Sequence, residues 1–227
     1  MKTLSTLFVV LVFILDSCST IELLTSDVKP TEVIDLQYFE PFSNVYLFDK
    51  RKNMIQNDSL SIVSKQLLNE SVQEFKNNIS LTGTIIVTNN TIKQRLEKDI
   101  EYLYMNANDI KVLSISSIRI TPLIDSLLEA NNKRFGLIIV ECGYIRTNRN
   151  YGNQIAVSVP INILSRVIVP GSPLSIPHKA YSALYVMIVD AEQDNIAFYR
   201  KTSKFGAPTD KSVITYQLNK IFKGYYF

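Results

Sequence analysis

Apolar residues recur at three- and four-residue spacing in four stretches of the chain, with short apolar or alternating runs between them. In "NDSLSIVSKQLLNESVQEF", Leu60, Val63, Leu67, Leu68, Val72 and Phe75 fall on one side of a helix, behind an Asn57/Asp58 cap. Thr91 can cap a second helix carrying Ile92, Leu96, Ile100 and Leu103. In "TPLIDSLLEANN", Thr121 stands at the cap and Pro122 at the first helical position, where its missing N–H removes no bond. Asn131 and Asn132 then supply a stop. A last helix runs from a Thr209 cap through Val213, Ile214, Leu218, Ile221 and Phe222. The strand patterns are "NVYLF", "TGTIIVT", "KVLSIS" and "FGLIIVECGYI", the last apolar on both faces as a central strand covered on each side would be. "SALYVMIVDAEQDNIAFYRK" splits into a hairpin around Asp190 to Asn195. The order predicts a single α/β domain with a mixed sheet, parallel early and antiparallel late, covered by about four helices.

The first seventeen residues have a different pattern. Lys2 and the amino terminus precede a nine-residue apolar run, Leu7 to Leu15. A membrane-spanning helix needs about 20 residues, so this run predicts a signal peptide over 1–17. Residues 18–43 are aperiodic, with Pro30 and Pro41, and are expected to form a tether leading to a folded domain over 44–227. The cleavage zone Leu15-Asp16-Ser17-Cys18 resembles the lipobox of bacterial lipoproteins, although Asp16 departs from the usual small or apolar residue at that place. The resemblance implies acylation of Cys18, and several acyl chains give lasting anchorage where one does not. The alternative is a Cys18–Cys142 disulfide in a secreted context. The lipid reading is preferred because Cys18 abuts the apolar run while Cys142 lies inside a strand pattern. Ser19 resembles the sorting residue of outer-membrane lipoproteins, and no acidic cluster of the surface-exported kind follows.

Composition narrows the classes. Of 227 residues 46% are hydrophobic and 20% charged, an ordinary globular balance, and the net charge of +3 is too mild for a nucleic-acid footprint. The seven glycines are too dispersed for a P-loop or a dinucleotide-binding turn. One histidine and two cysteines cannot make a two-histidine or a structural zinc site. We therefore expect no catalytic residue, cofactor or metal. His178, between Pro177 and Lys179, is expected to be a solvated imidazole. Asp190, Glu192 and Asp194 read as turn-forming acids, since a calcium loop would need a glycine and a distal glutamate.

Two places remain for chemistry. Glu141 alternates with Leu137 and Ile139, so burial would make it an acid of raised pKa. The plainer alternative, preferred because Gly143 follows, is that the sheet face opens to water there. "RTNRNYGNQ" follows the central strand, where open α/β sheets bind ligands. Arg146 and Arg149 supply planar cations, Asn148, Asn150, Asn153 and Gln154 amides, Tyr151 a stacking ring and Gly152 close backbone approach. A polar turn is the alternative. In "IAVSVPINILSRVIVP" the apolar positions 155, 157, 159, 161 and 163 alternate, as in a strand or a surface-lying segment that covers the sheet or meets a partner.

With "NDSLSIVSKQLLNES", "SLLEANNKRFGLIIVECGYIRTNRNYGNQ", "MIVDAEQDNIAFY" and "LNKIFKGYYF", the chain resembles a family of Bacteroides-type lipoproteins, a likeness that carries no activity with it. More loosely, its element order is similar to the α/β domain of the curli secretion lipoprotein and of lipoprotein activators of cell-wall synthases. The combined expectation is a non-catalytic envelope lipoprotein, anchored in the outer membrane through Cys18 and facing the periplasm. It would bind a protein partner, not nucleic acid, through Arg146, Arg149, Tyr151 and Gln154 and through residues 155–170. The alternatives are a subunit of an oligomeric secretion or assembly complex, and a weak glycan-binding or enzymatic domain using Glu141 with the Arg146–Gln154 loop.

Overall fold

The computed structural model describes residues 22–24, 28–49, 53–108, 114–156, 158 and 177–225. The expected signal peptide, Cys18 and most of the 155–170 segment lie outside the described residues. The strands are β1 (Glu22–Leu24), β2 (Leu36–Phe39), β3 (Phe42–Phe48), β4 (Met54–Gln56), β5 (Leu81–Ile85), β6 (Phe135–Arg146), β7 (Ala180–Asp190) and β8 (Asn195–Lys204). The helices are α1 (Asp58–Glu74), α2 (Asn90–Ala107), α3 (Pro122–Glu129), α4 (148–156) and α5 (Lys211–Phe222).

All eight strands form one sheet, in the order β1-β8-β7-β6-β2-β5, with β3 on β6 and β4 on β3. Long, central β6 is its spine. On one side of it the late strands β7 and β8, and beyond them the first strand β1, pair antiparallel. On the other side the early strands pair with β6 in parallel, and here the sheet forks. β2 takes the beginning of β6, with Tyr38 opposite Leu137, and β3 takes the rest, from Phe42 opposite Val140 to Phe48 opposite Arg146. The chain slips by one residue between them, at Glu40 and Pro41, where proline has no N–H to give the ladder. β5 then continues one prong and β4 the other.

Helices cover both faces. Leu68, Val72 and Phe75 of α1 and Ile214, Leu218, Ile221 and Phe222 of α5 pack on Leu137, Ile139, Leu184 and Val186. Leu96, Ile100, Leu103 and Tyr104 of α2 and Ile124 and Leu128 of α3 pack on Ile138, Met187, Val189 and Tyr199. Each such buried aliphatic side chain contributes about 1.5–3 kcal/mol. At the foot of the spine Gly136 admits no side chain, because an added Cβ would stand 2.6 Å from the Phe39 ring and 3.1 Å from Leu128.

The α/β class, the mixed sheet and its parallel-then-antiparallel order are as expected, with α4 as a further helix. Several details differ. Residues 28–43 are not a tether: Val28, Val33, Leu36, Tyr38 and Phe39 are buried and β2 lies inside the sheet. A strand buried on both faces over four residues leaves no period to detect. Asn57 caps α1 as expected, accepting from Leu60 N. Asn89, not Thr91, caps α2, and Asp210, not Thr209, caps α5. Within "KVLSIS" the described end is a 3₁₀ turn, Ile115–Ser117, not a strand. The β7–β8 turn is built by its acids. Buried Asp190 accepts from Arg134 Nε at 2.9 Å and Nη2 at 2.7 Å, and from the backbone of Glu192 and Gln193. No helix among the described residues is long and apolar enough to cross a membrane.

Candidate functional site

Strand parity divides the chemistry of β6 between two faces. Leu137, Ile139 and Glu141 face α1 and α5, and there Glu141 is completely buried. Its Oε2 receives the Ser64 hydroxyl of α1, which in turn receives Ser43 Oγ of β3 at 2.7 Å. Its Oε1 lies 3.0 Å from Ser182 Oγ of β7, itself 2.9 Å from Gln217 Oε1 of α5. Gln217 Nε2 donates to the carbonyls of Ser182 at 3.1 Å and Thr202 at 3.3 Å. A polar seam thus runs through an apolar layer and ties six elements together, β3, α1, β6, β7, β8 and α5. Burial pushes the Glu141 carboxyl up to about 7, against the lowering effect of the two serine contacts.

The expected opening to water at Glu141 is therefore corrected. Gly143, which suggested it, marks close packing: an added Cβ would stand 2.5 Å from Tyr181 O and 3.0 Å from Pro208 Cγ. Glu141 and Arg146 also lie on opposite faces of β6, so they cannot serve one ligand site together.

The even-numbered face leads to the end of the spine. Arg146 Nε donates to His178 O at 3.0 Å and Nη1 to Asn150 Oδ1 at 3.1 Å. Its guanidinium lies 4.4 Å from the Phe48 ring centre and 5.1 Å from that of Tyr144. Asn150 is 1% exposed and donates Nδ2 to Asp49 O at 2.6 Å. The segment expected as a loop is helical from 148 to 156, and Thr147 Oγ1 caps it by accepting from Asn150 N. Arg149 is exposed, while Tyr151 and Gln154 are half-buried. Three apart on a helix, Tyr151 and Gln154 share a face that Arg149 does not. The structure thus joins Arg146 to Asn150 and sets Arg149 apart from the other two. Residues 155 and 156 continue this helix, so the alternating pattern does not begin as a strand.

Arg146 joins a row of rings that crosses the sheet. Phe48 meets Tyr144 edge-on at 5.2 Å, Tyr144 stacks on Tyr181 at 5.8 Å, and Tyr181 meets Phe205 at 6.0 Å. His178 is exposed as expected, but its ring is not free in solvent: it stacks on Phe205 at 3.3 Å. Phe205 is 62% exposed. A hollow of about 470 Å³ beside it is lined by Ile145, His178, Lys179 and Phe205. The sequence carried half of this signal, in Tyr144 and Arg146 two apart on a strand. His178 and Phe205 meet only because β7 and β8 bring their ends together.

A second hollow, of about 590 Å³, opens between α2 and the sheet, with Tyr46, Tyr104, Met105, Cys142 and Tyr185 on its walls. Cys142 has a free thiol that burial, and secondarily the charge of Glu141, pushes up to about 11. Such a thiol is a weak nucleophile at neutral pH. No group of three or more His, Cys, Asp or Glu among the described residues is placed to hold a metal.

No protein-family model matches the chain, and no curated protein matches it by sequence. The likeness to Bacteroides-type lipoproteins thus has no counterpart in either comparison. Solved structures are similar in architecture. The PelC dodecamer from Paraburkholderia phytofirmans matches with a TM-score of 0.41 and 6% identity, over 92% of this chain and 99% of that one. A second PelC dodecamer structure gives a TM-score of 0.39 and 7% identity over the same shares. The C-terminal domain of LpoB from Salmonella enterica gives 0.31 and 9%, over 80% of this chain and 88% of that one. These are distant likenesses of fold.

Proposed function

We propose that this chain is a non-catalytic, lipid-anchored domain of the cell envelope that faces the periplasm and docks a protein partner where β3 and β6 end. The observation that carries the proposal is the ring row with Arg146 fixed inside it. Aromatic side chains and arginine dominate the binding energy of protein interfaces, and groups already held in place lose little freedom on docking. The row lies at the carboxyl ends of two parallel strands, where such sheets usually bind. Exposed Arg149 on one face of α4, and Tyr151 and Gln154 on another, supply a polar rim. Glu141, the one carboxyl group among the described residues that burial pushes up, is sealed in the opposite face, with only serine hydroxyls beside its oxygens. Acyl chains on Cys18 hold the domain at the outer membrane.

A photo-crosslinking residue placed at Phe205 or Arg149 in living cells tests the docking face, with exposed Glu129 at the far end of the spine as control. Adducts with one other protein from 205 and 149 and none from 129 are expected, and Arg146→Glu should abolish them. Equal labelling from all three positions would contradict the proposal. Release of a Cys18→Ser chain from the membrane fraction tests the anchor.

One observation favours a second reading, assembly with copies of itself. All three residues of β4 are exposed, Met54 and Ile55 more than half, and among the described residues its outer edge has no strand partner. Such an edge can accept another strand. A native protein that is strictly a single chain would dismiss this reading.

A further inference from the structure

We propose that Glu141 is a proton-operated latch: neutral, it fastens α5 to the sheet and to α1, and ionised, it loosens α5. The hydrogens available in the seam suffice only when Glu141 carries a proton. Gln217 sets the direction, because only its NH₂ end can face the carbonyls of Ser182 and Thr202. Its Oε1 is then an acceptor that needs the hydrogen of Ser182 Oγ, 2.9 Å away. A serine hydroxyl has one hydrogen. With it given to Gln217, Ser182 Oγ must accept from Glu141 Oε1 at 3.0 Å, and only a protonated carboxyl can donate there. On the other side Ser43 donates to Ser64 and Ser64 to Glu141 Oε2. In the neutral acid every hydrogen of the seam has an acceptor.

Ionisation breaks that count. The proton leaves to water, Ser182 must turn its hydrogen to the carboxylate as Ser64 already does, and Gln217 Oε1 is left facing an oxygen with no hydrogen between them. An unsatisfied acceptor at this depth is costly, and Gln217 is fully buried among Val213, Ile214, Leu218 and Ile221 on the face by which α5 docks. No charged side chain of the described residues joins the seam. Its members from β3, α1, β7 and α5 are Ser43, Ser64, Ser182 and Gln217, and the titratable group coupled to Glu141 is Cys142 on the other face of β6. The raised pKa of Glu141, about 7, places the change near neutrality. Lys211 also pairs at the surface with Glu70 and Glu74, between the same two helices.

The test follows the Glu141 carboxyl by carbon NMR and, in parallel, amide hydrogen exchange in α5 between about pH 5.5 and pH 8.5, corrected for intrinsic exchange. The expected result is a carboxyl that titrates near neutrality, with protection of Ile214, Leu218 and Ile221 falling at least tenfold and up to roughly 300-fold across that step. Glu141→Gln should hold protection constant with pH, which also subtracts the surface pairs. Ser182→Ala should lower it at both ends of the range. A carboxyl that titrates in the ordinary carboxylate range would overturn the latch. So would α5 protection that is flat in the native protein or falls equally in Glu141→Gln. Should Glu141→Gln not fold, the two native-protein measurements decide the matter.

Discussion

Replacing Asn150 by alanine removes the side chain that joins α4, the end of β6 and the end of β3. Asn150 donates to Asp49 O at 2.6 Å and accepts from Arg146 Nη1 at 3.1 Å, in a position only 1% exposed. A neutral hydrogen bond contributes about 1 kcal/mol net, and one to a charged donor about 1.5–3. The second figure must be reduced, because Arg146 is half-buried, keeps its bond to His178 O and can turn a nitrogen toward water. The sum is about 2 kcal/mol. With a typical urea slope of about 2 kcal/mol per molar, the unfolding midpoint should fall by about 1 M without a change in slope. Asn150→Asp keeps an acceptor for Arg146 but sets a carboxylate against the Asp49 carbonyl, so it should be no more stable than alanine. A midpoint shift below about 0.25 M in Asn150→Ala would refute the reasoning, since three elements held by one side chain cannot lose it for so little. Partner binding in the same variant should weaken even where the protein is fully folded, because Arg146 loses one of the groups that fix it in the ring row.

Other outcomes can be checked on the same protein. The folded state holds the Glu141 proton up to about pH 7, while an unfolded glutamate gives it up near 4.5. Stability is therefore present below the lower value and lost as pH rises through the window, by about 3 kcal/mol at most, and urea midpoints at pH 5 and 8 should converge in Glu141→Gln. Gly136→Ala forces a methyl against Phe39, Leu128 and Val189 and should destabilise by about 1–3 kcal/mol in thermal or urea unfolding. Alkylation of Cys142 at pH 8, followed by mass spectrometry in a Cys18→Ser background, should be at least about 100-fold slower in the folded than the unfolded protein, given its raised pKa and half-buried position.

How much of this was legible depended on whether an element announces itself locally. β6 reads as a central strand because eight of its twelve residues are hydrophobic and fall on both faces, and α1 because its stripe begins right behind Asn57, whose side chain does cap it. β2 is too short for a period, and its place between β5 and β6 depends on partners about 45 and 100 positions away. Asn89 and Asp210 each stand within two residues of the threonine expected as cap, since cap chemistry alone does not choose between neighbouring candidates. "RTNRNYGNQ" is rich in turn formers, yet Thr147 caps a helix there, stabilised by the link from Asn150 to the end of β3. At Glu141 the pattern fixed the face but not what covers it. Ser64 and Ser182 come from 77 and 41 positions away, and Gly143 signals the approach of Pro208, not of water. Parity alone, however, already separated Glu141 from Arg146, five places on along one strand.

Docking on the ring row is tested most directly by native mass spectrometry of the full-length protein extracted in mild detergent, beside a variant carrying both Arg149→Glu and Phe205→Ala. The account predicts one acylated chain in complex with a different protein, and loss of that complex in the folded variant. Assemblies made only of copies of this chain, unchanged in the variant, would contradict it.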